Sequence, residues 1–193
     1  EYVQSLGLGD TLVKLYGRWD KASDIDWDRL PNQFVLKVNN GCGDILICRD
    51  KDKLDKATVI DTYDRLVSIK YGDVTGEPHY ARIQPCVIAE ELLDINKQSI
   101  NTSSLIDYKV WCLNGKPYCI WCAWNRGKEG ADTGVYDLDW NYHPEWSVFT
   151  EHYRQGKEIL PKPKCFERML EVASKLSEEF PILRVDLYEV NEK

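Results

Sequence analysis

The sequence predicts an α+β fold, antiparallel strands with packed helices, from three features. Two strand-like runs flank a glycine-containing loop at residues 31–48, and a second hairpin pattern centres on Asn114-Gly115. Two longer segments, ending near Ile69 and Phe180, carry apolar residues at helical spacing. At 193 residues the chain has room for one domain with a substantial core, or for two small lobes.

Residues 1–6 read as the end of a helix that Gly7 and Gly9 break, and residues 12–16 as a short apolar strand or connector. Residues 20–30 are acidic and read as a linker pinned by Ile25 and Trp27. In PNQFVLKVNNGCGD, residues 31–44, Phe34, Leu36 and Val38 alternate with Val35, Lys37 and Asn39, the period of a strand with one apolar face. An ammonium inside such a strand is costly unless Lys37 snorkels to an edge or faces an anion from outside. Gly41 and Gly43 let the following backbone approach a ligand and turn its N–H groups toward negative charge. An apolar run at residues 45–48 follows. The segment is either a hairpin whose lysine reaches solvent or a phosphate cradle with Lys37 at its base, and the residues leave both open.

Asp50 and Asp52 are placed to cap a helix whose apolar residues Leu54, Ala57, Ile60, Leu66 and Val67 run to about Ile69 and pack across that sheet. Gly72, Gly76 and Pro78 mark residues 71–78 as a loop. Residues 83–93 return to strand period, with Val87, Ala89 and Glu91 opposite Cys86, Ile88 and Glu90, so that two adjacent glutamates end an apolar strand. After a polar loop at 94–104, residues 106–113 and 117–124 form the hairpin around Asn114-Gly115, with Asp107, Lys109 and Trp111 on one face. Residues 126–133 read as a polar loop in which Arg126 and Lys128 are candidates to meet a negative acceptor or are simply solvated. Residues 135–140 read as a short strand, and 140–153 as irregular but packed.

Phe166, Met169, Leu170, Ala173, Leu176 and Phe180 share one helical face over residues 165–180, and Pro181 stops that helix. In the strand at 182–190, Arg184, Asp186 and Tyr188 alternate with Leu183, Val185 and Leu187. A basic and an acidic residue two apart in such a strand are either a structural ion pair or a Mg²⁺ carboxylate beside a guanidinium for a phosphoryl oxygen.

The net charge is −7, with acids spread along the chain, which argues against a broad nucleic-acid surface. No apolar run has the length of a membrane span and no signal peptide opens the chain, so the cytoplasm is the expected location. Seven cysteines in mostly apolar contexts fit buried thiols. Cys119 and Cys122 make a CxxC by letter, but residues three apart on a strand face opposite sides, against a zinc site.

The order Pro31, Phe34-Val35-Leu36-Lys37, Gly41-Cys42-Gly43, Ile88-Ala89-Glu90-Glu91-Leu92-Leu93, Asp107-Tyr108-Lys109, Asn114-Gly115-Lys116-Pro117 and Arg184-Val185-Asp186 resembles the ATP-grasp superfamily. Its TupA-like branch, named for teichuronopeptide biosynthesis, is the best match. LPNQFVLK, IAEELL, DYKVWCLNGKP, YDLDWN and FPILRVDLYEVN are similar to that branch's running pattern over nearly the whole chain.

The resemblance implies two lobes, each of antiparallel sheet with helices, and a nucleotide cleft between them. Residues 1–30 would be an N-terminal remnant and linker, 31–82 the glycine-loop lobe, and 83–193 the hinge and a truncated C-terminal lobe. By the same resemblance Lys37 holds the α- and β-phosphates of ATP, with Asn40, Gly41, Cys42 and Gly43 in the loop that closes over them. Glu90, Glu91, Leu92 and Leu93 form the hinge against adenine, and Asp107 is the acid for the ribose. Asp186 is the first Mg²⁺ carboxylate, and Arg184, with Lys109, serves the phosphoryl group or the intermediate. ATP and Mg²⁺ are then the implied cofactors. The activity is amide formation between a carboxylate and an amine through an acyl phosphate, in the making of a cell-surface polysaccharide or peptide polymer.

The pattern departs from the family at both ends. The family's second metal acid, in a motif like F-G-E, belongs beyond Asn191-Glu192-Lys193, and a basic segment belongs before Glu1, so a fragment lacking both ends is expected. Two alternatives accompany the ligase: a non-catalytic nucleotide-binding module, and a glycosyltransferase of the same pathways. For the latter, Asp137-Leu138-Asp139 fits a DxD by letter but reads as part of a packed strand.

Overall fold

The computed structural model describes residues 1–191, in two compact units: Val13–Leu93, and Glu1–Leu12 together with the residues from Asp94 onward. The expected turn at residues 191–193 lies outside the described residues from Glu192 on. A single helical turn, α1 (Tyr2–Ser5), opens the chain.

The unit Val13–Leu93 is built on a four-stranded antiparallel sheet. Its strands are β1 (Leu15–Trp19), β2 (Phe34–Val38), β3 (Ile45–Cys48) and β4 (Val87–Glu90), in the order β1-β4-β2-β3. Phe34, Leu36 and Val38 on one face, with Val87 and Ala89 beside them, are buried against Val59, Tyr63 and Leu66 of α2 (Lys56–Ser68). Residues 20–30 do more than link, because Ala22, Ile25 and Leu30 are part of this core and the Ala22 amide donates to Asp64 on α2 at 2.5 Å. The first strand lies three residues later than its pattern implied, since β1 pairs with β4 from Leu15 to Trp19.

The cap of α2 is Asp55, which accepts from the Thr58 amide and hydroxyl at 3.2 and 2.6 Å. Asp50 caps instead a 3-10 turn, Lys51–Lys53, which the extended backbone of Leu54 (ψ 128°) separates from the helix. Residues 71–78 are not all loop: α3 (Tyr71–Thr75) forms one short helix, and Gly76 ends it at φ 72°, where a Cβ would be strained. Residues 83–93 contribute only β4, which lies between β1 and β2, so this stretch is hydrogen-bonded into the four-stranded sheet.

The other unit is built on a five-stranded sheet, β5 (Asp107–Leu113), β6 (Lys116–Gly127), β7 (Gly130–Tyr136), β8 (Tyr153–Gln155) and β9 (Ile182–Leu187), in the order β8-β7-β6-β5-β9. All pairs are antiparallel except β7 with β8. Asn114 and Gly115, at φ 49° and 77°, make the tight turn between β5 and β6 whose twist suits a hairpin. The helix α4 (Phe166–Ser177) packs Phe166, Met169 and Ala173 on Tyr108, Val110, Cys112, Ile120, Cys122 and Trp124. The amide of Cys165, just before the helix, donates at 2.8 Å to the buried carboxylate of Glu189; the Ser99 hydroxyl donates to the same side chain.

Two expectations here are corrected. Residues 126–133 are not a loop: β6 runs to Gly127 and β7 starts at Gly130, since the ladder continues through polar residues such as Asp132 opposite Trp124. The strand expected at 135–140 ends at Tyr136, because the Asp137 carboxylate accepts from the amides of Asp139 and Asn141 at 3.0 and 2.7 Å and turns the chain. Trp140 then stacks on Tyr136 at 4.4 Å. All seven cysteines are free thiols, and Cys119 and Cys122 fall on opposite sheet faces, Cys122 in the core. No described helix is long and apolar enough to cross a membrane.

Candidate functional site

Each sheet buries one face under a helix, and the chemistry sits on the other. On the four-stranded sheet the register puts Lys37 opposite Ile45 and Ile88, with Val35 opposite Ile47 and Glu90. The Lys37 ammonium therefore meets a partner of its own chain, Glu90, at 2.6 Å, with about a third of its side chain exposed. Leu15, Ile45 and Ile47 are more than half exposed around this pair. The ion pair is thus set among apolar side chains on an open face.

The glycine loop is held at both ends and open in the middle. The Tyr63 hydroxyl donates to the carbonyls of Leu36 and Asp44, 2.9 and 3.3 Å away, pinning the loop's two roots to α2. Asn39 exchanges hydrogen bonds with Cys86 and Gln84 just before β4. Asn40 is buried; its amide donates to the Ile69 carbonyl at 3.0 Å, while its Oδ1 has no partner. Gly41 lies so close to Tyr71 that a Cβ there would stand 3.0 Å from the ring. Tyr71 in turn meets the exposed Cys42 thiol, Sγ to Oη 2.6 Å, a contact that pushes its phenol up to about 12.

On the five-stranded sheet the open face reads as registered rows. One row is Val135, Trp121, Lys109 and Asp186; the next is Cys119, Trp111 and Arg184; a third is Thr133, Ala123 and Asp107. Lys109 Nζ stands between two carboxylates, 2.6 Å from Asp107 and 2.7 Å from Asp186. Arg184 grips Asp186 with Nε and Nη2 at 2.7 and 2.9 Å, and Arg126 reaches Asp107 at 3.5 Å. Burial raises the Asp186 carboxyl, but the hydrogen bonds from Arg184 and Lys109 outweigh it and the net displacement is downward. Three cations against two carboxylates leave the cluster one positive charge in excess, so it favours an incoming anion.

The sequence matches the family model of TupA-like ATP-grasp proteins over residues 1–193, the whole chain. The chain belongs to the TupA-like ATP-grasp family. Its two sheets with packed helices are the α+β arrangement that an ATP-grasp fold requires. No curated protein and no solved structure shows significant similarity to this TupA-like chain.

The residues singled out in the sequence fall into two groups. Lys37, Asn40, Gly41, Cys42, Gly43, Glu90, Glu91, Leu92 and Leu93 belong to the unit Val13–Leu93, and Asp107, Lys109, Arg184 and Asp186 converge on the five-stranded sheet. Within the hinge stretch the Glu91 amide donates to the Lys14 carbonyl at 2.9 Å, extending the pairing of β1 and β4 by one residue. Arg126 joins the cluster through Asp107, whereas Lys128 is exposed in the β6–β7 turn.

For Mg²⁺, Asp107 and Asp186 are the carboxylates the cluster offers; the Lys109 ammonium stands between them, so a hard cation would share these oxygens with phosphate and water only once Lys109 had moved to the phosphate. Among the described residues no three His, Cys, Asp or Glu side chains converge as a metal site by themselves. In Asp137-Leu138-Asp139 the Asp137 carboxylate is hydrogen-bonded to Asn141 and His143 within its own turn. Sequence reasoning missed the Lys37–Glu90 pair, which follows from register, and the aromatic groups of Trp121, Tyr118 and Trp146, which Trp content alone could have flagged.

Proposed function

We propose that this protein is an ATP-dependent carboxylate–amine ligase that works through an acyl phosphate. Lys37 and the loop at residues 40–43 take the nucleotide phosphates, and the backbone of residues 90–93 meets the adenine edge, with the exposed Leu15, Ile45 and Ile47 as apolar surface nearby. Asp186 would hold Mg²⁺, with Asp107, expected at the ribose, beside it as a second carboxylate; the ion neutralises phosphate charge and orients the γ-phosphoryl group when bound. Arg184, Lys109 and Arg126 then stabilise the transferring charge, and Lys109 exchanges its carboxylate partners for phosphate oxygens.

The chemistry is two displacements. An oxygen of the substrate carboxylate attacks the γ-phosphorus, the bond to the β,γ-bridging oxygen breaks, and ADP leaves with that electron pair. The amine nitrogen next attacks the acyl carbon of the acyl phosphate; the tetrahedral intermediate collapses, phosphate departs, and the nitrogen gives its proton to water. The acceptors belong to a cell-surface polysaccharide or peptide polymer, and the cytoplasm is the compartment where ATP is at hand.

The observation that carries this proposal is the five-residue cluster on the open sheet face, with its surplus cation, in a chain of an ATP-grasp family. The lack of three convergent metal ligands among the described residues favours the second reading, nucleotide binding without transfer. Incubating the protein with Mg-ATP and panels of carboxylates and amines separates the two. ADP and phosphate released only when both acceptors are present supports the ligase; ATP binding by calorimetry with no ADP from any pair supports the binding module. A preference for ATP over GTP is expected of a backbone hinge, since guanine would leave its donors and acceptors unpaired.

A further inference from the structure

Arg184 is held by two residues of different chemistry. One is Asp186, which accepts from Nε at 2.7 Å and from Nη2 at 2.9 Å. The other is Trp111, which the register of β5 and β9 sets directly across from Arg184, with the guanidinium carbon 5.7 Å from the centroid of its ring. That separation is inside the range, about 6 Å, over which a cation is attracted to an aromatic face. Core packing does not account for the indole. Trp111 is 39% exposed and lines, with Tyr118, Cys119, Trp121, Val135 and Trp146, a cavity of about 290 Å³.

We propose that Trp111 is a positioning residue, the anchor that keeps Arg184 aimed at the transferring phosphoryl group when Asp186 turns to the metal. The aim rests on the ligase reading above; the anchoring contact stands without it. Asp186 cannot serve both partners at full strength, because a carboxylate drawn toward a dication gives up capacity to hold the guanidinium. Asp107, the other carboxylate whose charge acts on Arg184, is taken by Lys109 at 2.6 Å and Arg126 at 3.5 Å. An arginine released from its carboxylate regains the rotamer freedom of a long side chain, and a wandering cation stabilises transferring charge poorly. The indole meets that need in three ways. Its attraction for the cation does not depend on Asp186, it leaves the positive charge whole, and it offers no oxygen that must be exchanged for one of phosphate.

The test reads the order of the arginine Nε–H groups by NMR, with the Arg184 signal identified by its loss in Arg184→Gln. Asp186→Ala removes the carboxylate without any ligand, and in it Arg184 should stay ordered on Trp111. In Asp186→Ala with Trp111→Leu the signal should average to that of a solvent-exposed arginine, and Trp111→Phe in place of Trp111→Leu should restore part of the order. Equal order with and without the ring would overturn the anchor. Turnover supplies the second arm. Trp111→Leu should lower kcat for acceptor-dependent ADP formation about fivefold with KM for ATP unchanged, and should add nothing in an Arg184→Gln background. Losses that multiply in the double variant would show that the indole acts through something other than Arg184 and would overturn the positioning role. The two readings fail separately. No ADP from any carboxylate–amine pair would reject the ligase reading and with it the aim of Arg184, while the NMR comparison by itself still decides whether Trp111 anchors the guanidinium.

Discussion

The two sheets solve the same packing problem and differ in what they leave on the open face. Each buries an alternating apolar set under one helix, Phe34, Leu36 and Val38 under α2 and Tyr108, Val110 and Cys112 under α4. On the four-stranded sheet the opposite face carries Lys37 paired with Glu90 and Arg18 paired with Asp20, and within each pair the charges cancel. On the five-stranded sheet Lys109, Arg126 and Arg184 face Asp107 and Asp186, and the charges do not cancel. A balanced pair needs only to open to meet a ligand. An unbalanced cluster attracts an anion before any rearrangement, and that is the property a phosphoryl-transfer site needs more than a nucleotide-docking site does.

If that contrast is right, breaking the two faces should affect different quantities. The largest effect belongs to Asp186→Asn, which keeps the shape and removes the charge that Arg184 and Lys109 hold. Acceptor-dependent ADP formation should fall about 10²-fold or more, the scale for losing one group that positions transition-state charge, with ATP affinity little changed. Unchanged turnover would remove Asp186 from the site.

Lys37→Ala should act the other way round, on binding first. The expected loss of ATP affinity is about 1.5–3 kcal/mol, the range for a charge-assisted hydrogen bond. Calorimetry decides it, and Glu90→Gln supplies the control: freeing Lys37 from its partner should leave ATP affinity equal or improved. Equal affinity in Lys37→Ala would mean that Lys37 serves only its ion pair.

How much of this was legible in the sequence follows the range of the interaction. Period-two alternation marked β2 and β9, and helical spacing marked α2 and α4, because those signals are written in neighbouring residues. The alternation also placed Asp107 and Lys109 on one face and Arg184 and Asp186 on another. It could not say that β5 and β9 are neighbours; that register alone brings Lys109 to Asp186. Lys37 is the same case, since its partner Glu90 lies on a strand far away in sequence. The error at residues 126–133 has a different cause. Polar residues and glycines in β6 and β7 look like a loop to any rule based on composition, yet their backbones pair.

The helix caps extend the contrast to a smaller scale. Asp55 caps α2 from the position just before it, whereas Cys165, the residue before α4, makes no side-chain cap and instead donates its amide to Glu189, a buried residue beyond β9. Glu189→Ala should cost about 1–3 kcal/mol, because the Cys165 amide and the Ser99 hydroxyl both lose a buried partner. Asp55→Ala, on an exposed cap, should cost about 1 kcal/mol. Denaturant melts of the two variants order them, and equal costs would show that the remote acceptor carries no more than the local cap.

The smallest expected effect concerns the turn that follows β7, beside the aromatic cavity. Asp137 is held down at about 2, first by the Asn141 side chain, with the Asn141 amide, His143 and the Asp139 amide adding to it. His143 is raised, first by its hydrogen bond to Glu145 and then by Asp137. The signs are opposite. The Asp137 contribution is complete above the ordinary carboxylate range near pH 4 and is lost as pH falls through about 2. The His143 contribution is complete below about pH 6.5 and is lost as pH rises through its elevated folded value. The turn should therefore be tightest between about pH 4 and 6.5. Both groups are solvent-accessible, so salt should shrink the effect. Amide exchange at Asn141 and the fluorescence of Trp146, which stacks on His143, report it directly. Asp137→Asn should flatten the acid limb and weaken the alkaline one, since His143 keeps Glu145 as a partner. Protection that rose steadily from pH 4 to pH 8 would instead mean that a neutral His143 holds the turn better than the imidazolium does.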